Sequence, residues 1–226
     1  DVCSSDLNLQ EFIEMWVHEI KTPLASASLI MENNPSNINH EVQKELLKLN
    51  DYVEQILFYA RSENVEKDYL IKKVSLETVI NKVILRYKQD FILKKINLEL
   101  SNLDVLVYTD TKWLEFIIGQ IISNSLKYVE ENPKIKIYAK TNKEEVTLYL
   151  EDNGIGIERS DLPRIFDKGF TGQNGRKSYN STGIGLYLVK QLCDKLGHNI
   201  VIYNNHGTTV KLIFPIGSYT KLNNTK

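Results

Sequence analysis

The chain has 226 residues, 42% of them hydrophobic and 25% charged, and a formal net charge of −1. This is the balance of an ordinary globular protein of one or two domains, and its scattered Lys and Arg residues form no nucleic-acid-binding patch. The two cysteines, Cys3 and Cys193, stand far apart with no Cys-x-x-Cys pairing, which argues against a disulfide framework or a zinc site, and no apolar run approaches the ~18 residues of a membrane span.

The chain begins without Met, and Val2-Cys3-Ser4-Ser5-Asp6-Leu7 reads like the translation of a sequencing-adapter end. Residues 1–7 are therefore expected to be a non-native segment, the other reading being an ordinary N-terminus. Two amphipathic patterns follow. Ile13, Trp16, Ile20, Leu24, Ala27 and Met31 step by three or four, as on one face of a helix. After the turn-forming cluster Asn33-Asn34-Pro35-Ser36-Asn37, Val42, Leu46, Leu49, Val53, Ile56 and Ala60 form a heptad seam. Two stripes joined by a short polar turn predict an antiparallel helical hairpin, and one hairpin hides two stripes poorly. A dimer making a four-helix bundle covers both. The alternative is that the helices pack on the domain that follows.

From about Lys72 strand and helix signals alternate. Strands are expected at 71–76, 96–100, 105–108, 134–139, 146–150, 199–203 and 208–214, and helices at 77–93, 111–128 and 184–196. Gly197 stands where a helix C-terminal cap belongs. The closely spaced pair 134–139 and 146–150 predicts antiparallel pairing, hence an α+β layer and not a doubly wound parallel sheet. Residues 159–182, rich in Gly, Ser, Asn and Lys with little periodicity, are expected to form a mobile lid.

Four groups of residues carry possible chemistry. In His18-Glu19-Ile20-Lys21-Thr22-Pro23, His18 falls on the solvent face of the first helix, with Thr22 one turn further along that face. A carboxylate beside an exposed imidazole can take the ring proton as Nε2 attacks. Pro23 within a helix costs a backbone hydrogen bond. In Ser123-Asn124-Ser125-Leu126-Lys127-Tyr128, residues 124, 127 and 128 share one helix face and offer an amide oxygen for Mg²⁺, an ammonium for phosphate and a ring for a base. In Asp152-Asn153-Gly154-Ile155-Gly156-Ile157, a carboxylate at a strand end can accept the exocyclic amine of adenine, and the glycines admit a close backbone approach. Thr182-Gly183-Ile184-Gly185-Leu186 opens a helix whose N-terminal amides suit phosphates. Taken singly, these also read as a surface histidine, a polar helix face, an Asp-Asn-Gly turn and a chance Gly-x-Gly.

Taken in order, the four groups resemble the H-box, N-box and two glycine boxes of sensor histidine kinases. Phe166 and Phe170 resemble the intervening F-box, and Gly207-Thr208 the family's closing glycine–threonine pair. The resemblance implies an α+β protein: a helical-hairpin dimerisation and histidine-phosphotransfer domain over residues 8–66, then an α/β-sandwich ATP-binding domain of the Hsp90/gyrase/histidine-kinase type over 71–217. It implies that His18 is the phosphoacceptor, Glu19 its acid/base partner and Thr22 the residue that orients water in phosphatase-competent members. For ATP and Mg²⁺ it implies Asn124 as metal ligand, Lys127 on phosphate, Tyr128 beside adenine and Asp152 on the adenine amine with Gly154 and Gly156. Phe166, Lys168, Phe170, Gly183, Ile184, Gly185, Leu186 and Thr208 complete the implied nucleotide contacts.

The chain departs from the family pattern at Gln120, where Asn usually opens the N-box, and at Ser125, where Ala is common. The Arg that usually follows the second Phe is replaced by Thr171-Gly172, leaving Lys168 or Arg176 to supply the charge. Phe12-Ile13-Glu14-Met15-Trp16-Val17, the short hairpin and Val107-Tyr108-Thr109-Asp110-Thr111-Lys112-Trp113-Leu114 are most similar to the intramembrane-sensing, bacitracin-resistance subgroup. That likeness implies a homodimer anchored in the bacterial membrane through helices upstream, with its catalytic part in the cytoplasm. It also implies a response regulator and a peptide-antibiotic ABC transporter as partners. Two rival readings share some of these motifs: a degenerate kinase that signals by shape alone, and an Hsp90/MutL-type ATP hydrolase, which has no need of the preceding hairpin.

Overall fold

The computed structural model describes residues 70–173 and 182–216, and in the N-terminal part Trp16, Glu19, Ile20, Thr22, Pro23, Ala25–Ala27, Leu29, Ile30, Asn33, Val42, Leu49, Tyr52 and Gln55. His18, residues 1–7, the polar turn after Asn33 and Arg176 lie outside the described residues. The chain divides into two compact units, Asp1–Asn64 and Val65–Lys226.

All described residues of the first unit are helical. Trp16 of the first stripe is buried, and its ring meets that of Tyr52 edge-on, with centroids 5.9 Å apart and planes at 73°. A residue of the first stripe thus meets the segment that carries the second, at a position next to the seam residue Val53. Ala27 is buried as well, whereas Ile20, Val42 and Leu49 keep partial exposure. Thr22 is exposed on the helix, and Pro23 is helical and buried.

The second unit runs β1 (Lys72–Ser75), α1 (Leu76–Arg86), α2 (Lys88–Leu93), β2 (Asn97–Ser101), β3 (Leu106–Thr109), α3 (Thr111–Lys127), β4 (Lys134–Thr141), β5 (Glu145–Asp152), α4 (Gly185–Lys195), β6 (Asn199–Asn204) and β7 (Thr208–Pro215). β1 and β3 form a small antiparallel pair, and the main sheet has the order β2-β4-β5-β7-β6. The expected hairpin of β4 and β5 pairs antiparallel, with Tyr138 opposite Tyr149. The sheet is mixed, since β2 runs parallel to β4, with Leu98 opposite Ile135. These strands are joined through β3 and α3, long enough to carry the chain back to the same end of the sheet.

Alternation decides which face of the sheet is covered. Ile135, Ile137 and Ala139 of β4, Val146, Leu148 and Leu150 of β5, and Val210, Leu212 and Phe214 of β7 are all buried. The covering layer centres on α3, where ten of 17 residues are buried, Leu114, Ile117 and Ile118 completely. Asp110 starts that helix: its Oδ1 accepts the amides of Lys112 (2.9 Å) and Trp113 (3.1 Å). Ser75 does the same for α1 through the Thr78 amide. The single helix expected at 77–93 is two, broken at Tyr87, whose hydroxyl lies against Gly119 of α3. α4 ends at Gly197, in the left-handed region with φ +68°, where the His198 amide donates back to Cys193 O.

His198 is 2% exposed, with Nε2 2.9 Å from Thr109 Oγ1 and its ring edge-on to Phe214 at 4.7 Å. Burial lowers its pKa to about 4, against a smaller opposing effect of the Gly197 backbone. A base whose folded pKa is depressed stabilises the fold fully above its unfolded value, near 6.5, and loses that contribution as pH falls towards 4. The loss is about 3 kcal/mol. Asp152, whose carboxyl burial holds above the ordinary range, acts with the opposite sign and offsets part of it. Urea unfolding at pH 7 and pH 4.5 is expected to show a fall in stability that His198→Gln largely removes. An unchanged fall in the variant would place the sensitivity elsewhere.

Candidate nucleotide site

The C-terminal ends of α3 and β5, the loop after β5 and the start of β7 meet around Asp152, while the start of α4 packs on α3 through Gly185 and Gln120. This residue closes β5, is partly buried, and has both carboxylate oxygens engaged. Oδ1 accepts the amides of Gly154 (3.0 Å) and Thr208 (3.1 Å), and Oδ2 accepts the hydroxyl of Ser125 at 2.8 Å. Burial pushes the carboxyl above the usual carboxylate range, while these three donors pull it down. The result is a fixed acceptor at the strand end.

Close backbone packing builds the rest, and glycine is what permits it at two points. A Cβ on Gly154 would lie 2.3 Å from Tyr128 O, the carbonyl that accepts the Ile155 amide at 3.1 Å. A Cβ on Gly207, whose φ is +125°, would lie 2.0 Å from Asp152 O and 2.7 Å from Asn153 Cα. The loop after β5 is held at both ends by side chains of residues 153 and 204. Asn153 accepts the Lys134 amide (2.6 Å) and donates to Asn132 O (3.1 Å), while Asn204 accepts the Ile157 amide (2.9 Å) and packs on Gly156.

Asn124 and Lys127 lie at the end of α3 with partial exposure. Tyr128, expected within the helix, is instead its C-cap, with φ −107° and ψ 28°, and its ring lies 5.5 Å from Lys127 Nζ. At the start of α4, Ile184 is 1% exposed, so its side chain belongs to the core and only its backbone faces the loop. As N-cap it supplies no side-chain hydrogen bond to the helix start. Leu186 keeps partial exposure. Gln120 Oε1 occupies the space a Cβ on Gly185 would take, at 2.6 Å, which ties the N-box position directly to the second glycine pair.

Of the expected lid, residues 159–173 and Thr182 are among the described residues, and 174–181 lie outside them. Its first part makes a 3₁₀ turn at Leu162–Arg164 followed by the buried Ile165. Phe170 reaches the glycine pair: the Gly169 amide donates to Gly183 O at 3.2 Å, and a Cβ on Gly183 would meet Gly169 C at 2.4 Å. Arg164 covers the Phe170 ring at 4.6 Å and pairs with Asp167 at 3.2 Å. A guanidinium does stand beside the second Phe, supplied by Arg164 from six residues before it, while Arg176 lies outside the described residues. Phe166 is partly buried and Lys168 exposed.

The carboxylate with one acceptor direction left open, the crowded glycines and the start of α4 without a side-chain cap suit an amino-bearing base and a polyphosphate. Among the described residues no group of three His, Cys, Asp or Glu forms a metal cage. Mg²⁺ fits such a site nonetheless, since it binds through one or two protein oxygens and completes its shell with phosphate and water. Asn124 offers that oxygen. In the first unit Glu19 is partly buried and Thr22 exposed, and His18 lies outside the described residues.

Ser125, Asn153, Asn204 and Arg164 were not among the site residues expected from sequence. Ser125 had a signal, as the departure next to Asn124. Asn153 and Asn204 had none, since they act on backbone distant in the chain, and Arg164 acts on a ring six residues away for which no spacing was read.

This arrangement of a mixed sheet, a helical layer and a strand-end carboxylate defines an ATPase-type nucleotide domain. Residues 109–218 match the family described as histidine kinase-, DNA gyrase B-, and HSP90-like ATPase. The chain is 35% identical over 207 residues to the sensor histidine kinase YxdK of Bacillus subtilis (strain 168), covering 90% of this chain and 64% of that protein. It is 38% identical over 218 residues to the sensor protein kinase GraS of Staphylococcus aureus (strain JH1), covering 93% of this chain and 62% of that protein. It therefore spans a little under two thirds of these relatives. In fold it is similar to the Acinetobacter baumannii histidine kinase AdeS, with a TM-score of 0.66 at 20% identity over 89% of this chain and 98% of that one. Histidine kinase ThkA, crystallised with response regulator protein TrrA, gives a TM-score of 0.66 at 20% identity over 94% and 63%. The chain belongs to the sensor histidine kinases.

Proposed function

We propose that the chain is a protein-histidine kinase core that binds Mg-ATP, transfers the γ-phosphoryl group to His18 and passes it to an aspartate of a response regulator. The observation that carries this reading is Asp152, a carboxylate fixed at a strand end by the Ser125 hydroxyl and the amides of Gly154 and Thr208. Asp152 accepts the adenine amine, with Tyr128 beside the base and Thr208 holding the carboxylate. Lys127 and the start of α4 at Gly183, Gly185 and Leu186 meet the phosphates. Mg²⁺ bound through Asn124 would neutralise charge on the transferred group. Phe166, Lys168 and Phe170 close the phosphate side.

The Nε2 of His18 forms the new P–N bond as the P–O bond to ADP breaks, and Glu19 takes the ring proton. Thr22, exposed on the same helix, orients water for the reverse task of dephosphorylating the regulator. Residues 8–66 and 71–217 act as two domains, and the partial exposure of Val42 and Leu49 supports a homodimer through the hairpin. The complex of ThkA with TrrA is a precedent for a regulator partner. The likeness to YxdK and GraS, from two low-GC Gram-positive genera, supports the peptide-antibiotic subgroup. In that reading the chain is the cytoplasmic part of a membrane-anchored sensor working with an ABC transporter.

Incubation with γ-labelled ATP and Mg²⁺ is expected to give base-stable, acid-labile label on the protein. Asp152→Asn is expected to raise the Kd for ADP by tenfold or more, since a hydrogen bond to a charged acceptor is worth about 1.5–3 kcal/mol. Wild-type protein that takes no label but hydrolyses ATP would favour the hydrolase reading.

A further inference from the structure

Ser125 is where this chain departs from the N-box pattern, and the structure gives that departure a partner. Its hydroxyl donates to Asp152 Oδ2 at 2.8 Å, across 27 residues of sequence, from a side chain 8% exposed. The other two donors to the carboxylate are the backbone amides of Gly154 and Thr208, both on Oδ1. Ser125 is thus the one side chain among the three, and the one donor on Oδ2.

A carboxylate offers about four lone-pair directions. Three are filled by protein donors, so one remains, on the oxygen that Ser125 holds. Among the described residues, each group hydrogen-bonded to the carboxylate donates to it. The arrangement therefore fixes Asp152 as an acceptor and aims its last lone pair. A purine with a 6-amino group donates to that position. A purine with a 6-oxo group sets lone pair against lone pair. Without the hydroxyl, Oδ2 has two open directions, the carboxyl plane loses its only side-chain tether, and burial favours the protonated acid, whose O–H is a donor suited to a 6-oxo group.

We infer that Ser125 is a specificity-determining residue of the nucleotide site, positioning Asp152 so that the pocket takes 6-aminopurine over 6-oxopurine nucleotides. The inference rests on the reading of the site as an adenine nucleotide site and adds to it the group that enforces the base choice.

ADP and IDP differ only at purine position 6 and the adjoining N1, and neither can phosphorylate the protein. Their Kd values, measured by calorimetry with the full chain, give the discrimination ratio. Ser125→Ala suits the helix interior and is expected to keep the fold while lowering the IDP/ADP ratio of Kd by about tenfold, the scale of one hydrogen bond to a charged group. Ser125→Thr keeps a hydroxyl on the same carbon and is expected to retain most of the ratio. An unchanged ratio in Ser125→Ala overturns the inference while leaving the nucleotide reading in place, and equal loss in the Ala and Thr variants assigns the effect to packing and overturns it too. Wild-type protein that binds neither nucleotide overturns the nucleotide reading and the inference with it.

Discussion

His18→Gln is expected to reduce acid-labile labelling from γ-labelled ATP to background while the Kd for ADP stays within about twofold of wild type. The two effects separate because every residue proposed to touch nucleotide lies in the unit Val65–Lys226, and His18 lies in Asp1–Asn64. Glutamine matches the imidazole in reach and polarity but has no nucleophilic ring nitrogen, so the loss is chemical rather than structural. The other histidines sharpen the experiment. Of four in the chain, His198 is 2% exposed, with its ring tied to Thr109 and packed on Phe214. It cannot meet a phosphate without unfolding. His206 is exposed in the turn before β7, and His40 lies outside the described residues. Label that persists in His18→Gln would move the phosphoacceptor to His40, tested next by the same substitution.

Gly207→Ala is expected to destabilise the nucleotide-binding unit by about 3 kcal/mol and to weaken ADP binding more than tenfold. A Cβ there would lie 2.0 Å from Asp152 O and 2.8 Å from Asp152 C, both backbone atoms that have no rotamer to escape into. The φ of +125° adds strain for any side chain. Relief requires the turn to back away from β5, and that motion takes the Thr208 amide off Asp152 Oδ1. Stability and binding therefore fall together. Gly169→Ala is the matched control, with φ +72° but nothing within 4 Å of the added carbon. It carries the backbone cost alone, about 1 kcal/mol. Thermal unfolding and calorimetry on the two variants compare the effects, and equal losses would mean that backbone conformation, not the crowding at Asp152, sets the requirement.

What the sequence made legible was local. Alternation in 134–139 and 146–150 marked a hairpin because each apolar residue faces the same covered side, and Asp110 and Gly197 marked helix ends through hydrogen bonds that span only a few residues. The break at Tyr87 was not legible. The segment has no Gly or Pro there, and what accompanies the break is a tertiary contact, the Tyr87 hydroxyl seated against Gly119. The parallel pairing of β2 with β4 was hidden for the same reason, since its partners lie 37 residues apart with another strand and helix between them. At the site, the order of the motifs marked Asn124, Asp152 and the glycines, but not what holds them. Ser125 on Asp152 and Gln120 against Gly185 are contacts between motifs, and no spacing within a motif announces them.

The chain has two tryptophans, and the fold gives one to each unit. Trp16 is buried against Tyr52 among the helices of the first, and Trp113 is buried at the start of α3 in the second. Each unit therefore carries a single tryptophan shielded from water, whose emission is separated from that of the tyrosines by exciting at the red edge of the absorption band. Trp16→Phe leaves emission that follows only the α/β unit, and Trp113→Phe leaves emission that follows only the hairpin. Recorded in urea, the two single-tryptophan proteins resolve whether the units melt at one midpoint or two. If there are two, the chain has no single free energy of unfolding, and each half is assigned its own.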